Sequence, residues 1–213
     1  DATVTIIGNT ATNEYDGNAH TVEGYVATAS TPLYDVTANI KFTGAATATR
    51  TDAGTTDMGL AADQFGNTNP NFSTVTFVVT DGWQKIDPIS ATVTIVGNSV
   101  TTDYDGTAHT AEGYVATADT PLYKVDTIRF AGEATATRTD AGTTNMGLAA
   151  DHFYNTDANF TDVTFVVTDG FVTINPIEAT VEIVGNNNTT EYDGNAHTVE
   201  GYVATASTPL YDV

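Results

Sequence analysis

The residues with the best claim to chemistry are those that return together along the chain. Tyr15, Asp16 and His20 lie in a Tyr-Asp-Gly-x-x-His pattern that recurs as Tyr104, Asp105, His109 and as Tyr192, Asp193, His197. A metal or acid–base site is one reading. One imidazole and one carboxylate are too few ligands for zinc, and nothing at ligand spacing supplies the rest. Asp-Gly is a turn dipeptide, so the pattern predicts a turn followed by a half-exposed strand. Asp52 and Asp57, with Asp140 in the second copy, are the candidate calcium ligands, because Ca²⁺ takes carboxylate and carbonyl oxygens. No EF-hand loop accompanies them and Asn145 replaces the second acid, so a tight turn is the competing reading. Calcium between domains is the only cofactor left open. Tyr34, Tyr123 and Tyr211, each in Pro-Leu-Tyr, are the candidate ligand anchors, and burial at a sandwich corner is their alternative.

Catalysis is not expected. Cys is 0, which removes thiol chemistry and thiolate metal sites. Paired carboxylates for glycoside hydrolysis need an enclosed cleft with one raised pKa, and a thin repeated domain is a poor place for one. A Ser or Thr nucleophile needs a positioned base, yet the recurring His sits beside a turn. Covalent staples are not expected either. Lys41, Lys85 and Lys124 have Arg129, Thr173 and Asp35 as counterparts, and Gln64 and Gln84 become His152 and Val172. Glycosylation patterns at Asn71-Phe72-Ser73 and Asn159-Phe160-Thr161 are set aside, since the central Phe reads as core; the overlapping matches at Asn187 and Asn188 are treated likewise.

Charge narrows the partners. Lys+Arg total 6 against 27 Asp+Glu, a net charge of -21. Nucleic-acid binding requires a basic patch and anionic membrane docking requires polybasic segments, so neither is expected. No apolar run reaches the ~18 residues of a membrane span. The opening DATVTI lacks the charged and apolar regions of a signal peptide.

Self-comparison organises the chain. ATVTIIGN at the start returns as ATVTIVGN from Ala91 and as ATVEIVGN from Ala179; ATATRTDAGTT, MGLAAD and VTFVVTDG each occur twice. EYDGNAHTVEGYVATASTPLYDV at 191–213 is identical to 14–36. The expected domains are 1–90, 91–178 and a partial third unit, 179–213, read as a piece of a longer tandem array. Units this long bury their own cores and differ from solenoid repeats of 20–50 residues. IDPIS and INPIE join them, without a flexible polar linker.

The apolar period is two. Val75, Phe77 and Val79 alternate with Thr76 and Thr80, and Val4 and Ile6 with Thr3 and Thr5. Thr numbers 43, as suits half-buried strands. Asp81-Gly82 between VTFVVT and WQKI signals a hairpin, or a bulge in one long strand. LAADQF (60–65) is the one helical candidate. The expected fold is all-β: tandem Ig-like β-sandwiches arranged as an elongated rod, with a β-grasp-like repeat carrying one short helix as the alternative.

The order YDG(N/T)AHT, EGY, PLY, TDAGTT(D/N)MGLAAD(Q/H)F, NFxxVTFVVTDG and I(D/N)PI resembles the MBG/YDG-type tandem repeats of large bacterial surface proteins and adhesins. The resemblance implies a secreted stalk or adhesin segment on a bacterial cell surface, with no enzymatic activity and no universal ligand. Its partners would be neighbouring repeats of the same chain. Host glycan or mucin bound multivalently, a host surface protein, or a homopolymer formed by strand exchange are the other readings.

Overall fold

A computed structural model describes all residues, Asp1–Val213. The first repeat carries β1 (Ala2–Gly8), β2 (Thr10–Glu14), β3 (His20–Glu23), β4 (Tyr25–Ala29), the single helical turn α1 (Val36–Asn39), β5 (Ile40–Phe42), β6 (Thr47–Arg50), β7 (Gly54–Asp57), β8 (Phe65–Asn67), β9 (Val75–Thr80) and β10 (Trp83–Asp87). The second repeat continues with β11 (Ile89–Gly97), β12 (Ser99–Asp103), β13 (His109–Glu112), β14 (Tyr114–Ala118), β15 (Arg129–Phe130), β16 (Thr135–Arg138), β17 (Gly142–Asn145), β18 (Phe153–Tyr154), β19 (Phe160–Thr168) and β20 (Phe171–Asn175). A hairpin of β21 (Val181–Gly185) and β22 (Tyr202–Ala206) follows. The all-β class stands. LAADQF contains only a 3₁₀ turn, Ala62–Gln64. The α1 turn arises at a place with no helical period, because the Asp35 carboxylate accepts hydrogen bonds from the backbone N–H of Thr37 and Ala38.

Sheet orders in the first repeat are β4-β1-β9 and β2-β10-β7, with β3-β6 and β5-β8 as two-stranded ribbons. β1 runs parallel to β9, with Val4 opposite Phe77 and Ile6 opposite Val79, and β2 runs parallel to β10. These pairs depart from the wholly antiparallel sheets of an immunoglobulin sandwich. The cause is a change of sheet in mid-strand. Each long stretch, 2–14 and 75–87, continues past a glycine and enters the other sheet. Gly8 and Gly82 touch backbone to backbone there, and a Cβ on either would meet main-chain atoms of the other stretch. Asp81-Gly82 is therefore a sheet crossing and not a hairpin. The Asp81 carboxylate accepts from Gly59 N and Leu60 N, both at 2.9 Å, and ties the next loop to the crossing.

Two compact units result. The first comprises Asp1–Val93 with Thr117–Phe130 and Phe153–Val166; the second comprises Thr94–Ala116, Ala131–His152 and Val167–Val213. They do not coincide with the sequence repeats: Thr117–Phe130 and Phe153–Val166 of the second repeat fall in the first unit. The core of the first unit holds Val4, Ile6, Tyr34, Leu60 and Phe65, with Phe42, Phe72 and Phe77 against it. Phe65 stacks on Phe42 at 4.8 Å and on Phe77 at 5.8 Å, and Tyr25 meets Phe65 edge-on. In the second unit Val172 and Ile174 pack with Ala111, Ala136, Tyr104 and Met146. No helix is long and apolar enough to cross a membrane.

Gly82→Ala is expected to destabilise the chain by more than about 2 kcal/mol, because the added Cβ would overlap main-chain atoms of Gly8 and Asn9. Gly66→Ala, whose Cβ has no neighbour nearer than 3.9 Å, should change stability far less. Urea unfolding of both variants checks the pair.

Candidate functional site

The recurring Tyr-Asp-Gly-x-x-His pattern forms a turn. Asp16 accepts from Asn18 N at 2.9 Å and stands 3.0 Å from His20 Nε2. Asp105 accepts from the N and Oγ1 of Thr107 and lies 3.1 Å from His109; Asp193 accepts from Asn195 N and lies 2.9 Å from His197. The backbone N–H, then the neighbouring side chains, hold Asp16 and Asp105 down at about 2 from 3.8, and Asp193 is lowered by the same causes. Gly17, at φ +79, turns the chain back, and a Cβ there would lie 3.1 Å from the Leu122 side chain.

Tyr34 and Tyr123 are not exposed anchors. Each is 3% exposed. The Tyr34 hydroxyl donates to Asn39 O and Asn67 Oδ1, and the Tyr123 hydroxyl to Asn155 Oδ1. Burial raises both phenol pKa values. An amphipathic ring with a satisfied hydroxyl is a core residue. Tyr211 is 53% exposed. Asp57 lies on the outer face of β7, opposite Trp83. No group of three or more His, Cys, Asp or Glu stands close enough to hold a metal ion.

Asp52 has a different partner. In the first compact unit Asn159 of the second repeat sits against the Asp52–Ala53 loop of the first. Ala53 N donates to Asn159 Oδ1 at 2.7 Å, and Asn159 Nδ2 donates to Asp52 Oδ1 at 3.2 Å. Ile89 N donates to Asn159 O at 3.0 Å. The adjoining Phe160, 3% exposed, meets Tyr15 edge-on at 5.9 Å and Tyr123 edge-on at 4.9 Å. Burial first, then the charges of Asp157, Asp52 and Asp16, raises the Tyr15 pKa. One amide side chain thus both donates and accepts across the junction, and one aromatic ring seals it.

Local elements set this geometry. Arg50, at the end of β6, folds its guanidinium into the following loop. Nε donates to Asp52 O and Nη2 to Ala53 O, both at 2.7 Å, and Nη1 reaches Thr56 Oγ1. The loop is held from inside, so Ala53 N and the Asp52 carboxylate are left for Asn159. On the other side, Asp157 accepts from Asn159 N at 2.9 Å and fixes the turn that presents the amide.

The corresponding acceptor in the second unit is open. Tyr104, Asp140, Ala141 and Ile177, with Leu210 and Tyr211, line a cavity of about 240 Å³. They are the counterparts of Tyr15, Asp52, Ala53, Ile89, Leu122 and Tyr123. Arg138 repeats the Arg50 bond to the loop, Nη2 donating to Ala141 O at 2.7 Å, but its buried Nε has no partner.

In the sequence, Asp52 and Asp140 read as a tight turn or as calcium ligands, and Asn159 as part of a sequon around a core Phe. The usable signal was that Asn-Phe recurs at 71–72 and 159–160 in step with Tyr-Asp-Gly and Thr-Asp-Ala-Gly. No protein-family model, curated protein or solved structure matches the chain.

Asn159→Ala should lower stability by about 1–2 kcal/mol, since it leaves the Ala53 N–H without its acceptor. Asn71→Ala, the same change at an exposed position, should stay within about 0.5 kcal/mol. Thermal or urea unfolding of the two variants tests this.

The Asp105 carboxylate titrates near 2 when folded against 3.8 otherwise. Its stabilising effect is therefore present above pH 3.8 and is lost as pH falls through 2. Carboxyl ¹³C shifts across that range should show the low midpoint, which Thr107→Ala, by deleting one donor, should raise.

Proposed function

We propose that the chain is a shaft segment of a secreted bacterial surface adhesin, in which successive repeats are locked end to end and project a distal binding region. The observation that carries the reading is the seat of Asn159–Phe160 on Tyr15, Asp52 and Ala53. A short Pro-bearing junction with a polar latch and an aromatic seal resists bending, as a flexible linker does not. The motif order that resembles MBG/YDG-type repeats of bacterial surface proteins supports the same reading. So does the net charge of -21, which keeps neighbouring stalks soluble and apart and discourages edge pairing between like β domains. No enzymatic role is proposed.

Small-angle scattering in line with size exclusion tests the shaft. A compact chain of this length has a radius of gyration of about 17 Å. Units of ~40 Å in line, with strands rising ~3.3 Å per residue, give about 30 Å. The expected result is a monomer near 30 Å that EDTA leaves unchanged, because protein groups and not a cation close the junction. A value near 17 Å would remove the shaft reading, and contraction in EDTA would return calcium to the joint.

A further inference from the structure

The chain enters a repeat and leaves it along strands that run side by side in the same direction. In the first repeat β1 lies parallel to β9 from Ala2 opposite Val75 to Ile7 opposite Thr80, and β2 lies parallel to β10 from Thr10 opposite Trp83 to Glu14 opposite Asp87. The first stretch opens the repeat; the second closes it and passes through Pro88 into β11. Main-chain bonds reach both limits of the contact. Ala2 N donates to Thr74 O at 3.1 Å, and Tyr15 N donates to Asp87 O at 2.9 Å. β1 is the middle strand of its sheet, between β4 and β9, and β10 is the middle strand of the other, between β2 and β7. Where the stretches change sheet, Gly8 and Gly82 leave no space for a Cβ on either. Sliding one stretch past the other by a residue would bring Ile7 or Asn9 against Gly82, or Asp81 or Trp83 against Gly8. The second repeat keeps the device: β12 runs parallel to β20, Gly97 touches Gly170, and Tyr104 N donates to Asn175 O at 2.9 Å.

We propose that each repeat is a clamp that carries tension along the chain. A pull on the chain draws the start of β1 one way and the end of β10 the other. The two stretches are parallel, so the pull lies along the strands and strains the main-chain hydrogen bonds between them together. Antiparallel first and last strands would set both points of pull at one end and open pair by pair. The glycine crossing adds a steric stop. Slippage by one residue would relieve the strain, but it forces a side chain into a backbone contact that only Gly fits. Forced unfolding is governed by the unfolding rate, so the arrangement prolongs the folded state under load without a greater equilibrium stability. The inference deepens the shaft reading and rests on it for the direction of pull.

The test is single-molecule force spectroscopy on the full 213-residue chain, whose Cys count of 0 makes introduced thiols unique attachment points. One variant carries Asp1→Cys with Ser90→Cys and is pulled in shear. The other carries Asp1→Cys with Ser73→Cys and is unzipped, since the Ser73 hydroxyl stands 3.3 Å from Asp1 Oδ1 at the same end of the clamp. All three positions are exposed, and both variants are kept reduced. The released length, about 3.5 Å per residue between the attachment points, assigns each event to the first repeat. The expected result is a single rupture in shear, at a force at least about twofold that of unzipping at the same loading rate, because several main-chain hydrogen bonds must break together. The two variants share one fold, so the ratio reads the direction of pull and not stability. A smaller ratio would overturn the proposal, as would a shear trace that lengthens in residue-sized steps. A radius of gyration near 17 Å would remove the shaft and leave this ratio unchanged, so a wrong clamp and a wrong shaft are told apart.

Discussion

The side-chain amide of Asn159 is the contact on which the rest of the site depends. A partly buried main-chain N–H gains from an acceptor, and Ala53 N finds one 106 residues away in Asn159 Oδ1. An acceptor alone would be met by a carboxylate. The Asp52 carboxylate beside it calls for a donor, and an amide offers an acceptor and a donor on two separate atoms of one side chain. An Asp at 159 would set like charges face to face. The chemistry of the loop therefore favours Asn, and gives the Asp52 carboxylate a protein partner.

Around that bond the repeated motifs take on joint roles. Tyr-Asp-Gly supplies the upper ring, Tyr15, and a turn tight enough for Leu122 to pack against Gly17. Thr-Asp-Ala-Gly supplies the polar groups. Pro-Leu-Tyr supplies a ring from below, Tyr123, whose hydroxyl is satisfied within its own repeat. Asn-Phe supplies the piece that is seated. Leu122 beside Gly17 is half-buried. Acidity fits this arrangement, since contacts that are few, polar and specific do not need charge attraction to form.

Much of the fold was legible in the residues. Alternating Val/Thr runs marked the strands, and the Phe and Tyr positions marked the core. Strand partnership was not. Asp81-Gly82 has hairpin chemistry, but the dipeptide records only a local bend; the backbone contact of Gly8 with Gly82, 74 positions apart, decides that the chain changes sheet instead. For Tyr34 and Tyr123 the Pro-Leu-Tyr loops allowed either a buried corner or an exposed anchor, and the partners of their buried hydroxyls, Asn67 and Asn155, come from a distant strand and loop. The junction was hidden for the same reason. Asn159 and Asp52 are each unremarkable in their own segments: the first precedes a Phe that reads as core, and the second sits in a pattern open to a tight turn or to calcium.

Hydrogen exchange at two equivalent amides tests the latch most directly. Ala53 N donates to Asn159, whereas its counterpart Ala141 lines an open cavity. In the unmodified chain, Ala53 should exchange much more slowly than Ala141. Asn159→Ala should bring Ala53 to the rate of Ala141 without altering the amides of β1 and β9. Equal exchange of the two amides in the unmodified chain would contradict the account.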